Sequence, residues 1–300
     1  MTPVVTEGLT KDYGPKRALD GLDLEVRAGE IFGFLGPNGA GKTTTIRLLL
    51  DVIRPTTGRA LVLGEEPGPA GPALRRRIGY LPGEFTADGR QTVRELLEYL
   101  GNLRGGVAGS RIRALAERLE LDLDSLFRRL SRGNRQKVGV VQALMHEPEL
   151  LILDEPTTGL DPLKQHDFLA LLREARDAGQ TVFMSSHVLS EVQHVADRVG
   201  IIREGQLVAV EGMEALRERA MRRVRITFDQ PVPVEAFQGL PEVNDLHIDG
   251  ATLTCRVAGR PDALVKAAAR FTVTSLTAEE ADLEELFFAY YRSGGESNAA

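Results

Sequence analysis

The stretch Gly36-Pro37-Asn38-Gly39-Ala40-Gly41-Lys42-Thr43-Thr44 constrains this chain more than any other. It has the order Gly, four residues, Gly-Lys-Thr. The apolar run Ile31-Phe32-Gly33-Phe34-Leu35 leads into it and reads as a buried strand, and Ile46, Leu48, Leu49 and Leu50 continue beyond it as a helix. Strand, glycine-rich turn, helix is the setting in which this spacing makes a P-loop. The glycines let the backbone curl until several N–H groups point at one spot, and the helix N-terminus adds partial positive charge there. Lys42 can reach the β- and γ-phosphates of a nucleotide, and the Thr43 hydroxyl can ligate Mg²⁺.

A second stretch, Leu150-Leu151-Ile152-Leu153-Asp154-Glu155, carries complementary chemistry. Its four apolar residues make a buried strand. The two carboxylates fall at the C-terminal end, where open α/β sheets bind ligands. Asp154 would hold Mg²⁺, largely through its waters, and Glu155 could orient or deprotonate an attacking water. Gln180 to Met184 reads as a further buried strand with Ser185-Ser186-His187 at its end. That position puts His187 at the same sheet edge, within reach of a γ-phosphate. His146, His166, His194 and His247 read as ordinary helix or surface residues.

Ser131 is a good N-cap for a helix running to about His146, and the opening Ser131-Arg132-Gly133-Asn134 offers a hydroxyl and free N–H groups to an anion. Thr157-Thr158-Gly159-Leu160-Asp161-Pro162 turns into another helix, with Pro162 at its first position. Tyr13, just upstream of the P-loop strand, could stack on an adenine ring or simply end a strand.

Patterning gives an α/β core. Val4 to Leu9 and Leu22 to Val26 alternate as half-buried strands, Arg59 to Leu63 and Ile78 to Leu81 are short strands, and Gly64 to Pro72 reads as a loop. Helical spacing over Thr92 to Leu103 and Arg111 to Leu119 marks a helical insert of about 85–147. Arg75-Arg76-Arg77 reads as a solvated helix face. Arg198 to Arg203 and Gln206 to Glu211 form a hairpin around Glu204-Gly205. The pattern changes near 217–223. Strands at Val224 to Phe228, Val243 to Ile248 and Leu253 to Val257, a helix over Pro261 to Arg270, a strand over Phe271 to Leu276 and a stripe Leu283, Leu286, Phe287, Tyr290 then make a small α+β unit. The expected domains are 1–220 and 221–300, with Gly294 to Ala300 frayed.

The net charge of −6 excludes a general affinity for nucleic acid or anionic lipid. A single cysteine, Cys255, can form no internal disulfide and reads as a small apolar strand residue. Residues 1–13 lack the pattern of a signal peptide, and no apolar run reaches the ~18 residues of a membrane span. An integral membrane protein is excluded; a subunit docked on one is not.

Together the motifs and their order resemble the ATP-binding subunit of an ABC transporter, over about residues 3–220. Gly36 to Thr44 matches Walker A, and Leu150 to Glu155 matches Walker B followed by the catalytic glutamate. Ser131-Arg132-Gly133-Asn134-Arg135-Gln136 resembles the signature loop in a diverged form, Gly159-Leu160-Asp161 the D-loop, and His187 the switch histidine. Tyr13 falls where the family stacks an aromatic on adenine. The resemblance implies ATP and Mg²⁺ as ligands and a P-loop NTPase core of the ABC ATPase kind. It implies a head-to-tail homodimer, in which Ser131, Gly133, Asn134 and Asp161 would act on nucleotide shared with a partner chain. It also implies a separate permease and a peripheral place on the cytoplasmic face of the membrane. The diverged signature, Leu81-Pro82-Gly83-Glu84 and the added C-terminal domain are similar to the ABC-2 type of multidrug and antibiotic exporters.

One departure stands out. The family has glutamine after Tyr-Leu-Pro, where it meets Mg²⁺ and the attacking water; here Gly83 stands there, followed by Glu84. Either the contact is absent or Glu84 replaces it. A soluble ABC ATPase of DNA repair or translation is the alternative reading. Repair members carry long coiled-coil inserts and translation factors two cassettes, and this chain shows neither pattern.

Overall fold

The computed structural model describes residues 2–279 and Phe287. The chain divides into two compact units, Met1–Val210 and Glu211–Ala300, so that the division falls ten residues before the expected boundary at 220.

In the first unit, β1 (Val4–Tyr13) and β2 (Lys16–Val26) precede β3 (Ile31–Leu35) and α1 (Lys42–Leu49). Then come β4 (Thr57–Val62), α2 (Pro67–Arg76), β5 (Ile78–Leu81), α3 (Val93–Leu103), α4 (Gly109–Arg118), α5 (Arg132–Leu144) and β6 (Leu150–Asp154). The unit continues with α6 (Pro162–Asp177), β7 (Thr181–Ser186), α7 (Leu189–Gln193) and β8 (Arg198–Arg203), and β9 (Gln206–Gly212) runs two residues past the division. Two sheets form. One is antiparallel, in the order β2-β1-β4. The other has six strands in the order β5-β6-β7-β3-β8-β9, with β5, β6, β7, β3 and β8 all parallel.

The central strands β3, β6 and β7 are buried at every residue, which is why each reads as a continuous apolar run rather than an alternation. Phe32 and Phe34 of β3 pack on Phe183 of β7, at centroid distances of 6.0 and 5.3 Å. The β8–β9 hairpin turns on Glu204 and Gly205, both at positive φ (51° and 82°) as a two-residue primed turn requires.

The stretch 85–147 carries α3, α4 and α5. Thr92 caps α3 in a capping box with Glu95, and α4 buries Ile112, Leu115 and Ala116. The arginine run is engaged rather than merely solvated: Arg75 pairs with Asp51, and Arg77 with Glu65 and Glu149. The loop expected over Gly64 to Pro72 is partly helical. Pro67 sits in the first turn of α2, Gly71 breaks the helix at φ 58°, and Pro72 follows it. Proline is pre-set for a first helical turn, so a Gly/Pro-rich stretch can make two short turns instead of a loop.

In the second unit, α8 (Met213–Arg219), β10 (Met221–Phe228), β11 (Val243–Asp249), β12 (Thr252–Ala258), α9 (Asp262–Ala268) and β13 (Val273–Ala278) follow in turn. The sheet order is β11-β12-β10-β13. Val224, Ile226 and Phe228 of β10 and Leu253, Cys255 and Val257 of β12 face one core, with Leu264, Ala267 and Ala268 of α9. Burial pushes the Cys255 thiol up to about 11, so it behaves as the apolar residue expected. Of the stripe Leu283, Leu286, Phe287 and Tyr290, only Phe287 lies among the described residues, and it is buried; Gly294 to Ala300 lie outside them.

Candidate functional site

Strand register gathers the site. Leu35 of β3 pairs with Ser186 of β7, and Asp154 of β6 pairs with Ser185. The residues that follow these strands, Gly36, Glu155 and His187, therefore emerge at one edge of the sheet, at the C-terminal ends of parallel strands.

The loop 36–41 is closely held. A Cβ at Gly36 would lie 2.4 Å from the Ile202 carbonyl oxygen, and one at Gly41, where φ is 115°, would lie 2.8 Å from that of Ala18. Only glycine fits at both. Pro37, Asn38 and Gly39 form an exposed crest, with Ala40 buried beneath it and Thr43 and Thr44 half-buried behind. Helix α1 then starts at Lys42 with no side-chain cap and no acidic residue in its first turn. Its leading N–H groups and positive dipole end are left for an anion.

Lys42 is only 4% exposed, and its Nζ donates to the carbonyls of Gly36 (2.6 Å) and Pro37 (3.1 Å). The same Nζ lies 3.3 Å from Oε1 of Glu155, and Nδ1 of His187 lies 3.2 Å from Oε2. Glu155 thus bridges the lysine and the histidine. Its backbone is left-handed at φ 46°, a conformation that costs a residue with a Cβ about 1–2 kcal/mol.

Thr43 donates to Oδ1 of Asp154 at 3.3 Å. Ser185, fully buried, donates to that same oxygen at 2.7 Å and accepts the Glu155 N–H at 3.0 Å. On the neighbouring strand, burial and then the charge of Asp154 push the Tyr80 phenol up. A hydroxyl and a carboxylate beside a phosphate cradle fit Mg²⁺, which takes few protein oxygens and shares its shell with phosphate and water. Among the described residues no cluster of three or more His, Cys, Asp or Glu forms a dedicated metal cage.

The remaining predicted residues lie apart from this cluster. Ser131 caps α5 and accepts the Asn134 N–H at 3.2 Å. Gly133 faces its own chain's turn: a Cβ there would lie 2.8 Å from the Gly159 carbonyl oxygen. Asp161 caps α6, accepting the Lys164 N–H at 3.0 Å. Tyr13 ends β1, exposed, with the Lys11 ammonium 5.4 Å from its ring centroid and tied to the Arg54 carbonyl at 2.7 Å. Among the described residues no hydrogen bond or ion pair joins these groups to Lys42, Glu155 or His187.

The sequence model of the family described as ABC transporter matches residues 19–158. The bacitracin transport ATP-binding protein BcrA of Bacillus licheniformis is 36% identical over 95% of this chain and 96% of its own length. The chain belongs to the ABC transporter ATP-binding family. A second relative of this ABC ATPase, the Nod factor export ATP-binding protein I of Paraburkholderia xenovorans, is 36% identical over 82% of this chain and 83% of its own length. A solved ATP-binding subunit of an ABC transporter superimposes with a TM-score of 0.67 at 28% identity, covering 72% of this chain and 92% of that one. The α/β P-loop NTPase core expected from sequence is thus the fold found, and the family fixes a nucleotide-binding ATPase.

Two residues beside Asp154 and Glu155 were named in the sequence reading only as parts of motifs, without a role. Ser185 was visible only as a strand-end hydroxyl. It is one of three buried hydroxyl residues of β7, with Thr181 and Ser186, and only its register with Asp154 singles it out. Gln136, 3% exposed, donates from Nε2 to the Pro156 carbonyl at 3.2 Å. It closes the stretch Ser131 to Gln136 that resembles the signature loop, but sequence alone assigns its side chain no role.

Proposed function

We propose that this ABC ATPase hydrolyses ATP at the edge formed by β3, β6 and β7 and powers a membrane exporter. The observation that carries the reading is the Glu155 carboxylate held between Lys42 and His187 directly above the phosphate-binding loop. The loop 36–44 binds the phosphates through backbone N–H groups, with Lys42 turning from its carbonyl partners to the β- and γ-oxygens. Thr43 and Asp154 would hold Mg²⁺, which supplies charge neutralisation on the phosphates. Glu155 orients and deprotonates the attacking water, His187 steadies the γ-phosphate from the same edge, and Tyr13 offers its exposed ring to the base.

The signature residues support a head-to-tail homodimer. Ser131 is exposed at the N-terminus of α5, and among the described residues no hydrogen bond or ion pair joins Ser131, Gly133 or Asn134 to Lys42, Glu155 or His187, so a second copy's nucleotide is their fitting ligand. No helix among the described residues is long and apolar enough to cross a membrane. The names of the relatives, ATP-binding proteins of transport and export, support a separate permease of the ABC-2 type, with the ATPase peripheral on its cytoplasmic side. The bacitracin and Nod factor names of the relatives support export, and the former supports an antibiotic or drug as cargo. The second unit, which carries none of the phosphate-facing motifs, serves dimerisation or regulation.

Glu155→Gln tests the reading. The variant is expected to bind MgATP and to hydrolyse it on the order of 10²–10⁴-fold more slowly, the usual loss for a general base. It should elute as a dimer on size exclusion with MgATP. Full hydrolysis would remove Glu155 from its role, and a strictly monomeric elution at high protein concentration would count against the head-to-tail dimer.

A further inference from the structure

We propose that two buried side chains, Ser185 and Gln136, clamp the backbone on either side of Glu155 and thereby aim its carboxylate. The proposal rests on the reading of Glu155 as the base. Ser185 is 0% and Gln136 3% exposed, so neither is available to substrate. Ser185 has one proton, and it goes to Oδ1 of Asp154 at 2.7 Å; the oxygen is then left to accept the Glu155 N–H at 3.0 Å. On the far side, Gln136 Nε2 donates to the Pro156 carbonyl at 3.2 Å. The two hydrogen bonds hold the peptide groups before and after the Glu155-Pro156 pair.

What they hold is a backbone that would otherwise move. A residue ahead of proline favours extended backbone, yet Glu155 stands at φ 46°. The turn it opens is closed by one further local bond, from the Thr158 N–H to the Glu155 carbonyl at 3.2 Å. Release of either clamp lets Glu155 relax towards common dihedrals. That swings its Cα–Cβ bond and takes the carboxylate away from Lys42 and His187, which it meets at 3.3 and 3.2 Å. Ser185 and Gln136 are therefore positioning residues that act through Glu155. The clamp reaches from β7 on one side to α5 on the other.

The test is a double-mutant cycle on kcat at saturating ATP and Mg²⁺, using Gln136→Met and Ser185→Ala with and without Glu155→Gln. Each single variant is expected to lose roughly ten- to hundredfold in kcat, the scale of an ångström-level misplacement. Binding of a fluorescent ATP analogue should not change in Gln136→Met; Ser185→Ala also frees Oδ1 of Asp154, so it is compared on kcat at saturating Mg²⁺ only. In the Glu155→Gln background neither should slow the residual rate further, because the carboxylate they aim is gone. Equal losses in both backgrounds, or full kcat in the single variants, would overturn the proposal. The two substitutions sit at opposite ends of the clamp, so if one fails to fold by circular dichroism the other decides. Full activity in Glu155→Gln alone would take the proposal down with the base assignment, whereas a slow Glu155→Gln beside normal clamp variants would sink the clamp only.

Discussion

At the scale of single residues, the departure at Gly83-Glu84 now has a geometry. A Cβ at Gly83 would lie 3.4 Å from the Asp154 carbonyl oxygen, so the loop passes directly beside the acidic end of β6. Glu84 itself is exposed and makes no hydrogen bond or ion pair with Thr43, Asp154 or Glu155. A third carboxylate at that corner would add repulsion that bound cation must offset. From this placement, Glu84→Ala is expected to leave the Mg²⁺ dependence of hydrolysis unchanged in a titration at fixed ATP. A raised Mg²⁺ requirement in Glu84→Ala, with Glu84→Gln intermediate, would show instead that the Pro82-Gly83 turn redirects Glu84 to the metal. The same comparison explains why Glu155 was legible and Ser185 was not. A carboxylate closing an apolar strand is conspicuous, whereas a hydroxyl inside one gains its meaning from a partner 31 residues away in sequence.

At the scale of elements, the insert is bolted to the sheet by a polar network at the ends of α3 and α5. Arg104 donates to the Ile78 carbonyl at 3.0 Å, to Oε1 of Gln142 at 3.2 Å and to His146 Nε2 at 2.7 Å. His146, read from sequence as an ordinary helix or surface residue, is half-buried here and must accept from a guanidinium, so it is neutral. Burial, and then the Arg104 charge, lower it from 6.5 to about 4. Between those two values the unfolded chain takes up a proton that the folded chain refuses, so stability is lost as pH falls through this window and levels off below it. His146→Gln keeps an acceptor without the titration. Its Tm is expected to drop less than that of the parent between about pH 7 and pH 5, followed by circular dichroism. Parallel Tm–pH curves would show that the imidazole is not the group responsible.

At the scale of the whole molecule, chemistry and accessory unit are separate in sequence. Every residue proposed to face phosphate falls before position 188, and the second unit has its own core around Val224, Ile226, Phe228, Leu253 and Phe237. Because β9 extends to Gly212 and belongs to the six-stranded sheet, a chain ending at residue 220 keeps that sheet whole. Such a chain is expected to fold and to bind a fluorescent ATP analogue as tightly as the full protein. A folded, truncated chain without nucleotide affinity would show that the second unit contributes to the site.

The sequence by itself determined the ATP-binding family and the P-loop NTPase core, and it marked out residues 36–44, Asp154-Glu155, His187, the insert and a second unit as expectations. The reason is that each is written in contiguous residues: glycines that the turn demands, apolar runs that a doubly covered sheet demands, and caps such as Thr92 and Ser131 that a helix start demands. It misread Gly64 to Pro72, where proline favours a helical first turn as readily as a loop, because composition alone does not choose between them. Only the tertiary structure decided what the strand ends do together. The register of Leu35 with Ser186 and of Asp154 with Ser185 is a property of sheet pairing between distant segments. That pairing sets the bridge from Lys42 through Glu155 to His187, the left-handed backbone at Glu155 and the two buried groups that hold it. Their interaction is long-range, and no local propensity encodes it.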